Sequence, residues 1–135
     1  MTGGLLAAAL ADLPEASTRF LGGVVSYTVD KKIDLLGVPE TVISKDGVIS
    51  AATARLMAEG VRRIFDAGVS ISVTGVAGPQ SQEGKPIGLT YIGVSSDGRI
   101  QVREYCWRGD RATNRAAGVK AAIAQAADFL TADKP

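Results

Sequence analysis

Four segments of this sequence combine polar or cationic side chains with glycine-rich turns, a pattern typical of anion-binding sites. The first is Thr2, Gly3 and Gly4, which lead directly into an apolar helical segment. Backbone N–H groups at such a turn favour an anion, although a plain helix cap would use the same residues. The second carries Tyr27 and Lys32 at the end of a predicted strand, where α/β folds place their sites. A surface charge is the alternative role of such a lysine.

The third segment is a predicted strand end that runs into a loop of small residues. It contains Thr74, Gly75, Ala77 and Gly78. Small residues allow a ligand to reach main-chain N–H groups, although a close helix–strand crossing would also select them. Together with the polar residues 80–85, this segment predicts a substrate-binding loop.

The fourth segment contains Arg111 and Arg115, one helical turn apart. Residues 99–115 carry five arginines against two acidic residues, a local excess of three positive charges. Two guanidinium groups at this spacing can hold one phosphate or carboxylate. A solvated helix face is an equally common explanation of the same pattern.

Composition excludes several classes of function. The chain has 135 residues, a net charge of +1, no histidine and a single cysteine, Cys106. The balanced charge argues against a nucleic-acid partner, and the lack of histidine excludes Ser-His and Cys-His catalytic pairs and a histidine-ligated zinc site. No apolar run is long enough to span a membrane. These features predict a cytoplasmic α/β domain with no metal site.

Helical and strand patterns alternate along the chain and would position the four segments. The patterns predict helices over residues 5–13, 14–20, 31–36, 50–68 and from 110 onward, and strands over 24–28, 69–73, 89–95 and 99–107. Asp97 and Gly98 predict a tight hairpin between the last two strands. Ser50 and Asp110 are the expected N-caps of the two long helices. We expect one domain over residues 1–135.

An ordered set of short motifs resembles the C-terminal domain of the competence/damage-inducible CinA family, the nicotinamide mononucleotide deamidase. Any one of these motifs would be weak evidence, but the ordered set is specific and covers nearly the whole chain. The motifs are Thr-Gly-Gly-Leu-Leu from Thr2, Phe-Leu-Gly-Gly-Val-Val-Ser-Tyr at 20–27, Lys-Ile-Asp-Leu-Leu-Gly-Val at 32–38, Val-Thr-Gly-Val-Ala-Gly-Pro at 73–79, Lys-Pro-Ile-Gly at 85–88 and Gly-Asp-Arg at 109–111.

The resemblance implies hydrolysis of nicotinamide mononucleotide to nicotinic acid mononucleotide and ammonia, without metal or redox cofactor. It implies a three-layer domain with a mixed β-sheet flanked by helices. Lys32 matches the family's catalytic base, and a lysine can be a base near neutral pH when burial lowers its pKa. The turn at Gly3 and Gly4 and the loop from Thr74 to Ala77 are the expected donors to the oxyanion. By position, we expect Tyr27 to flank the pyridine ring and Arg111 to hold the phosphate.

Departures from the family pattern bear on activity. Met1 stands where the family has a cysteine, and the preceding nucleophilic serine and the first strand of the family have no counterpart in this sequence. Loss of such a nucleophile typically reduces the rate by a factor on the order of 10⁶. We therefore expect impaired hydrolysis and leave three alternatives open: a deamidase whose sequence begins too late, an inactive nucleotide-binding member, and a structural subunit whose missing strand comes from a partner. An unpaired sheet edge also predicts a homodimer or higher homo-oligomer.

Overall fold

The structure is a computed structural model that describes residues 1–132. Within these residues, five helices come first, three consecutive strands follow, and a sixth helix ends the order, so helices and strands do not alternate along the chain as the sequence predicted. The helices are α1 (Leu5–Ala11), α2 (Ala16–Arg19), α3 (Val29–Asp34), α4 (Glu40–Asp46), α5 (Ala51–Phe65) and α6 (Arg111–Thr131), and the strands are β1 (Val69–Gly75), β2 (Leu89–Ser96) and β3 (Arg99–Cys106).

The three strands form one antiparallel sheet in the order β1-β2-β3. Ser96 pairs with Arg99, so the hairpin turns at Asp97 and Gly98 as predicted. Gly98 adopts a φ of 70°, which a residue without Cβ takes at little cost. The α/β class with helices flanking a sheet is confirmed, and the pairing among the described strands is antiparallel throughout rather than mixed.

Helices cover both faces of the sheet and give a three-layer arrangement. On one face, the hydroxyls of Ser70 and Ser72 donate hydrogen bonds of 2.6 and 2.5 Å to carbonyl groups of α5. Gly93 lies on the same face and packs directly against α5: a Cβ there would lie only 2.7 Å from the Ala54 carbonyl oxygen. The opposite face is apolar: Ile92 packs with α1 and α6, and Val94 packs with Phe129 of α6. Small and hydroxyl residues thus bring α5 close, while branched residues fill the α6 side.

Both predicted N-caps are confirmed. Ser50 Oγ accepts a 3.1 Å hydrogen bond from the Thr53 N–H at the start of α5. Asp110 Oδ1 accepts one of 2.8 Å from the Thr113 N–H at the start of α6, and these backbone and side-chain contacts lower the pKa of the Asp110 carboxyl. The two long helices therefore begin where short polar side chains satisfy their first free N–H groups.

Three sequence predictions differ from the structure. The predicted strand over residues 24–28 is wrong, because residues 21–27 lie outside any helix or strand. Helix α4 was not predicted. The helical spacing of apolar residues in the sequence predicts Ile64 and Leu130 on the buried faces of α5 and α6, but both are exposed. Phe129 takes the core position instead of Leu130. No helix within residues 1–132 has both the length and the hydropathy needed to cross a membrane.

Candidate active site

A small polar cleft of about 90 Å³ lies beside the carboxyl end of β1, and we call it the polar cleft. It brings together seven of the residues that the sequence predicted as site residues. Its lining residues are Met1, Tyr27, Lys32, Val48, Ile49, Thr74, Gly75, Ala77, Gly78, Gln82 and Arg111. Five separate parts of the chain therefore meet at one place.

Lys32 is the buried cation of the polar cleft. Thr28 caps α3 by accepting a hydrogen bond from the Lys31 N–H, and the helix then directs Lys32 inward while Lys31 stays exposed. The Lys32 side chain is only 6% exposed, and its Nζ donates a 2.5 Å hydrogen bond to the Ser26 carbonyl. Burial lowers the pKa of Lys32 because removal from water disfavours the charged ammonium.

Arg111 stands in the first turn of α6 and reaches across to two other walls of the cleft. Its Nη1 donates a 2.8 Å hydrogen bond to the Gly78 carbonyl, and its Nη2 donates one of 3.1 Å to the Tyr27 hydroxyl. A guanidinium has five N–H groups, so these two bonds leave donors for a ligand anion. Tyr27 is largely exposed, and its ring is open to a stacking partner.

Thr74 and Gly75 end β1 at the base of the cleft. The buried Thr74 hydroxyl donates a 3.0 Å hydrogen bond to the Val48 carbonyl, which ties the strand to the segment before α5. A side chain at Gly75 would lie 2.7 Å from the Leu89 carbonyl oxygen, so only glycine fits there. Thr74 is therefore held in a fixed rotamer by its own hydrogen bond.

The loop after β1 is held by Asn114 of α6. Asn114 is fully buried, and its Nδ2 donates hydrogen bonds of 3.0 and 2.9 Å to the carbonyls of Ala77 and Gly109. Its Oδ1 accepts a 2.9 Å hydrogen bond from the Gly109 N–H. One side chain thus fixes the Ala77 carbonyl against the start of α6.

Residues 80–85 close another side of the cleft through an acidic and a basic side chain. Glu83 accepts hydrogen bonds from the N–H groups of Val48 and Ile49, at 3.1 and 3.0 Å. Lys85 donates to the carbonyls of Ile49 and Asp46. These two charged residues therefore bind protein backbone, and Gln82 is the residue of this loop that lines the cleft.

The Thr2–Gly4 turn lies beside the polar cleft. Thr2, Gly3 and Gly4 line a second, larger cavity, which also reaches Met1 and Tyr27. Arg115 lines neither cavity; its Nε and Nη2 donate hydrogen bonds of 3.2 and 2.8 Å to the carbonyls of Met1 and Thr2. Arg115 therefore binds the backbone at the start of the Thr2–Gly4 turn.

Three cations give the region around Met1 a positive potential. Burial, followed by the charges of Lys32, Arg111 and Arg115, lowers the pKa of the Met1 amino group to about 6. A positive group loses its proton more readily where other positive charges surround it, and a negative ligand is favoured at the same place. The cleft is therefore suited to an anion.

A protein-family model decides the relationship of this chain. The model described as the CinA C-terminal domain matches residues 1–130. The chain belongs to the CinA C-terminal domain family.

Curated relatives agree with this assignment. One from Desulforamulus reducens, named as a competence-damage inducible protein, is 48% identical over 129 residues, which are 96% of this CinA domain and 31% of that protein. A "CinA-like protein" of Frankia casuarinae is 43% identical over 91% of the domain and 28% of that protein. The domain thus spans about a third of the length of the curated relatives it matches.

Solved structures share the fold. A crystal structure of a competence-damaged protein (CinA) superfamily protein from Escherichia coli has a TM-score of 0.92 at 31% identity, over 95% of this domain and 75% of that chain. One of the competence damage-inducible protein A from Klebsiella pneumoniae has a TM-score of 0.94 at 30% identity, over 99% of the domain and 83% of that chain.

Sequence reasoning missed two supports of the cleft in this CinA domain. No structural role was predicted for Asn114, and Glu83 was predicted only as one of the polar residues 80–85. The signal for Asn114 was its place one turn after the N-cap Asp110, with Gly109 within reach. No sequence signal indicated that Glu83 binds the backbone near Val48, because the two residues are far apart in the chain.

Proposed function

We propose that this CinA domain binds nicotinamide mononucleotide in the polar cleft and acts on its carboxamide as an amidohydrolase. The single observation that carries the proposal is a buried lysine with a lowered pKa in the same cleft as an arginine and a small-residue loop. Such a combination offers a base, a phosphate contact and backbone donors within one site. No cofactor enters the proposal.

The phosphate of the nucleotide would bind at Arg111. Its guanidinium is already oriented by Gly78 and Tyr27, so little side-chain entropy is lost when an anion binds. The Tyr27 ring lies beside it and would contact the pyridine ring of the same ligand. The positive potential around Met1 favours the same charge.

The chemistry is addition of water to the carboxamide carbon, followed by breakage of the C–N bond. In its neutral form Lys32 would accept the proton of the attacking group, and this proton would then leave with the amine as ammonia. The negative charge on the carboxamide oxygen needs N–H donors. Within residues 1–132, the N–H groups of Ala77 and Gly78 donate to no other protein atom, which supports them in that role.

Binding without turnover is the second candidate, and a specific observation favours it. Among the described residues, the polar cleft has no serine or cysteine in its lining. Its two hydroxyl groups are engaged: Thr74 donates to the Val48 carbonyl, and Tyr27 accepts from Arg111. A nucleophile would then have to be water, so we expect slow hydrolysis at best.

An ammonia-release assay on nicotinamide mononucleotide separates the candidates. The assay compares the release rates of three proteins: the unchanged chain, Lys32→Ala and Lys31→Ala. Lys31→Ala is the matched control, because Lys31 lies on the exposed side of α3. Release that is lost in Lys32→Ala and kept in Lys31→Ala supports hydrolysis with Lys32 as base. Nucleotide binding without release supports the second candidate, and neither binding nor release contradicts both.

A further inference from the structure

The polar cleft is small for the ligand proposed above. Its volume is about 90 Å³, whereas pockets that enclose small-molecule ligands usually measure roughly 300–1,000 Å³. A space of this size equals the share of liquid volume that about three water molecules occupy. A nucleotide is therefore not enclosed by the walls as they stand, and one wall must move before it can be.

One wall, residues 79–85, is a loop whose two ends are fixed. Before it, Arg111 holds the Gly78 carbonyl at 2.8 Å, and after it the Gly88 N–H donates a 2.7 Å hydrogen bond to the Val76 carbonyl. Between these ends the first six residues are exposed, and within the part of the chain that the structure describes the loop backbone makes hydrogen bonds only inside the loop. The loop can therefore move as a unit between its two ends.

Two charged side chains, Glu83 and Lys85, attach this loop to the segment before α5, and we call them the clasp. The Glu83 carboxylate accepts hydrogen bonds from the N–H groups of Val48 and Ile49, at 3.1 and 3.0 Å. The Lys85 ammonium donates to the carbonyl of Ile49 and, at 3.3 Å, to that of Asp46. Since Val48 and Ile49 line the polar cleft, the closed clasp holds the loop against the cleft wall.

A tight turn and a glycine bring the clasp together. Glu83 and Gly84 have φ values of 53° and 67°. The Lys85 N–H donates a 2.8 Å hydrogen bond to the Gln82 carbonyl, which closes a turn with positive φ at both central residues. On the other side, a Cβ at Gly47 would overlap the Glu83 carboxylate and lie 2.9 Å from the Lys85 Nζ. The absence of a side chain at Gly47 therefore leaves the space in which the clasp closes.

The clasp has features that favour its release. Glu83 is exposed, so water competes with the two N–H groups for its carboxylate. The closed turn also holds Glu83 in the left-handed backbone region, which a residue with a Cβ rarely adopts. Gln82 lines the polar cleft from this loop and moves away with it when the clasp opens. Opening therefore enlarges the cleft on the side of Val48 and Ile49.

We propose that the clasp of Glu83 and Lys85 closes residues 79–85 over the polar cleft, and that a nucleotide is taken up only after the clasp opens. The nucleotide is the ligand of the proposed function, on which this role rests, whereas the opening itself is measurable without a ligand. A site that must open before it binds has an apparent affinity reduced by the fraction of molecules that are open. The clasp thus sets how fast and how tightly the cleft takes up its ligand.

Native-state hydrogen exchange in low urea measures the opening without nucleotide. Opening exposes the N–H groups of Val48 and Ile49, so both should exchange faster than the N–H of Ile92 in the central strand β2. Their exchange should also depend little on urea, because a local opening exposes little surface. Exchange of Val48 and Ile49 with the rate and urea dependence of Ile92 would show that the loop opens only on global unfolding, and would overturn the proposal.

A pair of variants assigns this exchange to the clasp. In Glu83→Ala, exchange at Val48 and Ile49 should be at least about tenfold faster, because the acceptor of both N–H groups is removed. Asp46→Ala is the matched control, since Asp46 is exposed and contributes its carbonyl group to the clasp. This variant should leave the exchange unchanged. Equal exchange in the two variants would overturn the proposal.

Association of nicotinamide mononucleotide, measured from NMR line shapes during a titration, tests the role of the clasp in uptake. The association rate constant should rise at least about tenfold in Glu83→Ala, because more molecules are open. Asp46→Ala loses the same charge and should stay within about threefold of the unchanged chain, which separates release of the clasp from electrostatic attraction.

The outcomes of this titration separate the two proposals. Equal association rate constants for Glu83→Ala and the unchanged chain would overturn the role in uptake and leave the proposed function standing. No binding to any of the three folded proteins would overturn the proposed function together with the role in uptake. In that case the exchange at Val48 and Ile49 still decides whether the clasp opens.

Discussion

Arg111 donates a 3.1 Å hydrogen bond to the hydroxyl of Tyr27, although 84 positions separate the two residues in the chain. The contact joins the first turn of α6 to the segment that precedes α3. Because both residues line the polar cleft, the same contact holds a guanidinium and an aromatic ring together at that cleft. A phosphate and a pyridine ring within one nucleotide would use these two groups together.

The lowered pKa of Lys32 predicts a specific dependence of stability on pH. Below its folded-state pKa, Lys32 is charged in both states and its burial reduces the free energy of unfolding. Between that lowered value and the unfolded value of 10.5, the unfolded chain binds more protons, so stability rises with pH. Urea unfolding from neutral pH to pH 10 should therefore show the unchanged chain gaining stability relative to Lys32→Met.

Lys31→Met controls for loss of a charge on the same helix, since Lys31 is exposed. Over the same pH range, the free energy of unfolding of the unchanged chain should rise more when measured against Lys32→Met than when measured against Lys31→Met. A difference in unfolding free energy between the unchanged chain and Lys32→Met that stays constant with pH would show that Lys32 is not shifted by burial.

Asn114 should be essential for stability and for the shape of the cleft. Asn114→Leu keeps the same number and branching of side-chain heavy atoms but leaves polar groups of Ala77 and Gly109 without partners, at a cost of about 3 kcal/mol. Urea denaturation measures this loss, and Thr113→Leu, at the exposed neighbouring position, should change stability by less than about 0.5 kcal/mol. Equal stability of the two variants would mean that the network around Asn114 contributes little.

Self-association stays a prediction. Exposed apolar side chains at Leu21, Val25 and Tyr27, close to the open edge of β1, favour contact between copies of the chain. Light scattering at low micromolar concentration should give the mass of a dimer or larger assembly. A sharp monomer peak under the same conditions contradicts the prediction.

The sequence predicted elements whose signals are local. Ser50 and Asp110 each supply a cap oxygen to a helix of known period, and Asp97 with Gly98 specifies a two-residue hairpin. Residues 24–28 have equally strong local β-propensity, but a strand exists only when a neighbouring strand pairs with it. Among the described residues this partner is absent, so the segment belongs to no sheet.

In the candidate site, too, local features were predicted from the sequence and contacts between distant segments were not. Residues that share a glycine-rich turn or a helix face, such as Lys32, Gly78 and Arg111, were found from sequence and meet in one cleft. Contacts between distant segments were not. The substrate-binding role of Arg115 stays a prediction, whereas its hydrogen bond to the Thr2 carbonyl was not predicted, because only the packing of α6 against α1 sets that distance.

Binding of nicotinamide mononucleotide tests the central claim most directly. Isothermal titration calorimetry compares the unchanged chain with Arg111→Met, which keeps an unbranched apolar stem but removes the guanidinium. Arg108→Met, a variant of an exposed arginine that does not line the cleft, is the matched control.

We predict saturable binding to the unchanged chain and to Arg108→Met. In Arg111→Met the dissociation constant should rise at least tenfold, which corresponds to about 1.4 kcal/mol. Equal affinity of Arg111→Met and the unchanged chain, or no binding heat from the folded unchanged chain, would contradict the assignment of the polar cleft as a nucleotide site.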